Sequence, residues 1–278
     1  INDAADDNTA DFTAGGLITL TAQDEVGVLG SGSDLDLEFA TGSSVNVSTT
    51  GTGAIDLDGL GALTLSDVDT VNGAITASSA GALTVTDVAS GTNGNIVLST
   101  SSGDITGLAT VNAGSGNVTL NSAGAIVDDG SSGTVITGGV LTADAAGAIT
   151  IDSTVTSANI STSAAGAVDL DESDAITLTD VDTNDGSITV DAGGLITATD
   201  VVASGGSGDS VTLSTTTGGA VATLVTGADA VSITANAGDI TIGSVTATLG
   251  TLGVTATAGS INDAADDNTA DFTAGGLI

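Results

Sequence analysis

The residues best equipped for chemistry in this sequence are carboxylates, and they crowd into one motif. Asp180, Asp182 and Asp185, with Asn184, precede Gly186, and Asp67, Asp69 and Asn72 stand ahead of Gly73 in a second version of the same stretch. Short oxygen-bearing side chains in a glycine turn are the donor set a hard cation such as Ca²⁺ takes. The glycine comes one position late for the EF-hand loop, and the same composition also builds solvated turns, so both readings stand. The metal-ligand candidates are Asp67, Asp69, Asp180, Asp182 and Asp185. A third acidic group, Asp169, Asp171, Glu172 and Asp174, reads as a loop in an expanded coil, and GGSGDSVTL from Gly205 falls one Asp short of the calcium-binding nonapeptide.

No other side chain offers an alternative chemistry. The 278 residues include no Lys, Arg, His, Cys, Met, Pro, Trp or Tyr, against 35 Asp and Glu. A Ser or Thr nucleophile has no basic side chain to activate it, and there is no thiolate or imidazole for zinc. Phosphate neutralisation needs cations and base stacking needs aromatics, so nucleic acid is not an expected partner. Some β-helices cleave polysaccharides with Asp groups, but here cations are missing and Phe12, Phe39 and Phe272 are the only aromatics available to position a sugar. The expectation is a non-enzyme that requires no cofactor, with Ca²⁺ or other divalent cations as counterions.

These carboxylates must be carried by short strands. GLITL at 16, GAIDL at 53, GAITA at 73, GNIVL at 94, GNVTL at 116 and GSITV at 186 each open with glycine and then alternate apolar and polar residues. Such alternation is the period of a half-buried β-strand, and the Gly, Asn, Asp and Ser between segments supply turns. A second strand follows each opening, as AGAI at 123 and at 146, AGAV at 165 and AGDI at 237 show. The spacing predicts an all-β, parallel β-solenoid of about twelve coils of roughly 21 residues, each too small to bury a core without its neighbours. No apolar run approaches the ~18 residues of a membrane span.

Two scales of duplication overlie the coils. INDAADDNTADFTAGGLI occupies residues 1–18 and returns unchanged at 261–278. Residues 1–260 therefore read as one full period of a tandem array, and 261–278 as the start of the next identical period. Within the period, LTLSDVDTVNGAITASSAGALTVTDV from Leu63 aligns with ITLTDVDTNDGSITVDAGGLITATDV from Ile176. The expected partners are adjacent identical repeats and further copies of the chain, packed laterally or end to end.

GNVTLNSAGAI, GNIVLSTSSGDI and GSITVDAGGLI resemble the coils of filamentous-haemagglutinin-type bacterial surface proteins. That resemblance spans nearly the whole chain and implies a right-handed parallel β-helix, export to the cell surface or beyond, and a stalk or fibre serving adhesion or surface structure. Charge adds a physical expectation. Twelve coils rising about 4.8 Å each span roughly 57 Å, and 31 acids per period then give one charge per ~1.8 Å, close to duplex DNA. Such a rod condenses cations. The reading is a structural repeat unit of an extracellular filament, stalk or sheath. An adhesin stalk or ligand-binding module with calcium-dependent attachment is the alternative, ahead of an ice-binding Thr ladder or a carboxylate-only hydrolase.

Overall fold

The computed structural model describes residues 1–2, 9–29, 34–133, 135–265 and 269–278. All regular elements among them are strands, no helix is present, and every strand pairing given below is parallel. The chain is a β-solenoid of about twelve coils of roughly 21 residues. It divides into two compact units, Ile1–Ala145 and Ala146–Ile278.

One coil of the first unit shows the construction. Strand Ile75–Ser79 is followed by a corner at Gly81, the short strands Leu83–Val85 and Asp87–Ala89, and a wider corner that delivers the chain to Ile96, one rung above Ile75. Alternate side chains of each strand turn inward, so residues at equal phase stack into columns. Three of those in the first unit are Ile55, Ile75, Ile96, Val118 and Leu141; Leu63, Leu83, Ile105 and Ile126; and Val47, Val68, Val88, Val111 and Ile136. None of these side chains is more than 1% exposed. Each coil thus contributes one layer to a shared interior, which is why a single coil has no stability of its own.

The second unit repeats the plan. Ile149, Val168, Ile188, Val211, Val231 and Leu252 form one column, although the stretches of chain between successive members are unequal, shortest from Ile149 to Val168 and longest from Ile188 to Val211. Ile176, Ile196, Ala220 and Ile240 form another, and Val181, Val201, Val225 and Val245 a third. Strand phase is held fixed while the corners absorb the differences in length.

Two devices make the corners stackable. The first is a buried hydroxyl that closes the turn. Thr70 Oγ1 donates to Gly73 O at 2.7 Å, Thr100 Oγ1 to Gly103 O at 2.9 Å and Thr215 Oγ1 to Gly218 O at 2.6 Å, giving each buried hydroxyl the partner it requires. The second is close backbone approach at stacked glycines. A Cβ on Gly73 would lie 2.0 Å from Gly53 O, one on Gly94 2.1 Å from Gly73 O, and one on Gly116 2.3 Å from Gly94 O. We expect Gly94→Ala to force apart the corners of two coils and to cost on the order of 3 kcal/mol. Hydrogen exchange should show protection lost first at Ile75–Ser79 and Ile96–Thr100. Unchanged protection there would contradict the stacked-corner account.

Candidate functional site

The sequence candidates lie on two strands of identical design, one in each unit. On Leu63–Thr70 the register slips between Val45↔Leu65 and Asn46↔Asp67, so one residue of the strand has no opposite number. The bulge leaves Asp67 and Asp69 outside, on either side of buried Val68. Asp87 begins the strand of the next coil, whose Val88 pairs with Val68. Three carboxylates from two coils are thereby brought together. The Asp69 carboxyl is pushed up to about 6, first by burial, then by a hydrogen bond with Asp67 and by the charges of Asp67 and Asp87. Asp87 is also raised, by burial and by Asp67.

The second unit reproduces this arrangement. The slip now falls between Ala158↔Leu178 and Asn159↔Asp180, Asp180 and Asp182 flank buried Val181, and Asp200 precedes Val201 on the next coil. Burial, then the charges of Asp180 and Asp200, push Asp182 up to about 6. The duplication seen in sequence has therefore copied a bulge and an acid triad together. Asp87 and Asp200 were not among the sequence candidates. The signal that finds them is an acid one coil length beyond Asp67 and, at the same interval, beyond Asp180. Asp185 does not join its triad. It ends the strand Ile176–Asp185 at the far corner, where its carbonyl accepts from Gly166 N at 2.8 Å and its side chain faces Gly205.

The acidic group at 169–174 corrects the loop expectation. Val168–Glu172 is a regular strand paired on both edges, with Val168 and Leu170 in the core and Asp169 and Asp171 outward. Strand alternation places Glu172 in an interior column, 3% exposed, between Ser153 and Ala192. Its carboxylate accepts from Ser153 Oγ at 2.7 Å, Val155 N at 3.1 Å and Asp174 N at 3.2 Å. Burial outweighs these bonds and pushes the group up to about 7. Outside the same strands, Asp152, Asp171 and Asp191 stack one per coil, an acid ladder with about 1 kcal/mol of repulsion per exposed neighbour at that spacing in water.

Among the described residues, one set of three acids brings carboxylate oxygens within 4.8 Å of one another: Asp34, Asp36 and Asp58. Asp36 and Asp58 are register partners on adjacent coils, and Asp36 is buried. Asp11 Oδ2 adds a fourth carboxylate close by, accepting from Asp36 N at 3.1 Å. All the donors are hard oxygens, the type a divalent cation takes. The sequence candidates did not include this set, because Asp58 is separated from Asp34 and Asp36 by a full coil.

The class defined by this geometry is the parallel β-solenoid whose charged side chains are all acidic. Comparison with models of known families, with curated proteins and with solved structures gave no match. No helix among the described residues is long and apolar enough to cross a membrane.

Proposed function

We propose that this chain is a structural repeat unit of a long extracellular bacterial filament, stalk or sheath, in which the solenoid is itself the functional object. The observation that carries this reading is the unbroken stacking. In each unit the aliphatic columns and the strand ladders run from coil to coil, and strength along the axis comes from repetition of one rung. The exact return of residues 1–18 at 261–278 supports a tandem array of such units.

Surface chemistry supports the same role. With 35 acids and no basic side chain, neighbouring coils repel, and cations gathered at the Asp67, Asp180 and Asp34 clusters offset that repulsion. Divalent cations also link acid faces of adjacent fibres, which gives lateral packing a chemical basis.

Cryo-electron microscopy of the native material, with and without a calcium chelator, tests the reading. We expect filaments with a layer line at about 4.8 Å and an axial repeat of roughly 57 Å, loosening or debundling on chelation. Isolated compact particles would overturn it.

A further inference from the structure

The sequence repeated at 1–18 and 261–278 occupies two different places in the solenoid, and its two sets of contacts do not compete. In the first copy, Phe12–Ala14 pairs with the coil that follows it, Phe12 opposite Leu37 and Ala14 opposite Phe39. Asp11 N donates to Asp36 O at 2.9 Å, and Ala14 O accepts from Ala40 N at 3.0 Å. In the second copy, Phe272–Ala274 pairs with the coil that precedes it, Phe272 opposite Val245 and Ala274 opposite Ala247. Asp271 O accepts from Val245 N at 2.8 Å, and Gly275 N donates to Ala247 O at 2.9 Å.

Asp11 and Asp271 are the same residue of the repeat. It gives its N–H to the following coil and its carbonyl to the preceding one. Ala14 uses its carbonyl forward, whereas the repeat-equivalent of Gly15 uses its N–H backward. One segment can therefore make both sets of bonds at once, as an interior strand of a parallel sheet does. Side-chain exposure agrees. At inward positions Ile1 is 44% exposed, Ile261 49% and Ile278 70%, as residues are that have a neighbour on one edge only.

Resting on the filament reading, we propose that this repeated segment is a shared coil. It is the last layer of one repeat and the first layer of the next, so that a second copy of the repeat unit stacks on it in fixed register. The seam then carries a continuous column, Val225, Val245, the shared Phe, and Leu37. Register across it is set by Thr246, opposite Thr273, and by Thr13, opposite Glu38. Thr246 of one repeat and Glu38 of the next thus lie two coils apart, about 10 Å.

The absence of cysteine makes this measurable. In a chain of two periods, nitroxides are attached at Thr246→Cys of the first and Glu38→Cys of the second. We expect strong dipolar broadening of the continuous-wave spin-resonance spectrum, absent from singly labelled samples and lost in urea. A narrow spectrum from a chain with intact β-sheet circular dichroism would overturn the shared coil. Hydrogen exchange on the unlabelled two-period chain gives a second reading free of substitution. At the seam the N–H of the Gly15 position should be protected at least tenfold over Gly15 of the leading copy, which in that chain has no coil before it. Exchange at the seam as fast as in the leading copy would also overturn it. Filaments that lack the seam signals refute the shared coil alone, whereas compact particles refute the filament.

Discussion

Replacing Ile96 with Asp should unfold the middle of the first unit, at a cost above about 4 kcal/mol. Ile96 is fully buried between Ile75 and Val118 in the column that joins five coils. A carboxylate there meets aliphatic side chains above and below, and this chain has no basic side chain to pair with it. It must either stay protonated or admit water. Because each coil touches only its neighbours, the damage should be local. Amide protection should collapse across Ile75–Ser79, Ile96–Thr100 and Val118–Ser122 and persist in strands of the second unit. The control is Val97→Asp, one residue away on the outward face, where less than ~0.5 kcal/mol is expected. Equal effects at the two positions would refute the assignment of faces.

Acidification should stabilise the protein, the reverse of ordinary acid denaturation. Asp69 and Asp182 titrate near 6 and Glu172 near 7 in the folded chain, above their ordinary values of 3.8 and 4.5. The native state therefore holds more protons than the unfolded state between about pH 4 and 7. Stability from these groups is fully present below their unfolded values and is lost as pH rises through 6 and 7. Urea midpoints at pH 5 should exceed those at pH 8, with Glu172 contributing about 2 kcal/mol after a discount for solvent screening. Glu172→Gln should flatten this part of the profile, and Asp69→Asn and Asp182→Asn should each raise stability at pH 8. A profile that rises with pH across this window would show that the hydrogen bonds to Glu172 outweigh its burial.

How much was legible beforehand depended on the range of the signal. Alternation within GNIVL or GSITV is local, so strands, inward faces and the coil length were readable from the sequence. The stacked glycines were readable as turns, but the backbone contact that excludes a Cβ at Gly94 was not, because its partner, Gly73, is a full coil away. The same distance hid Asp87, Asp200 and the Asp34, Asp36 and Asp58 cluster. Composition misled at Glu172. An acid run looked like a loop, whereas alternation from Val168 through Leu170 places Glu172 inside, where Ser153 and two backbone N–H groups receive it. Asp185 was grouped with Asp180 and Asp182 by proximity in sequence, yet the strand carries it past Thr183 to another corner.

Unequal corners on a constant rung have a practical meaning. Between Ile188 and Val211 the chain spends more residues climbing one layer than it does between Ile149 and Val168, and the column they share remains unbroken. Height is counted in rungs, irrespective of the number of residues. A peptide spliced into the wide corner at Gly205–Asp209 would therefore be displayed without changing the distance to any other corner. In a tandem array the same splice would recur once per period, which makes the molecule a ruler with removable markings.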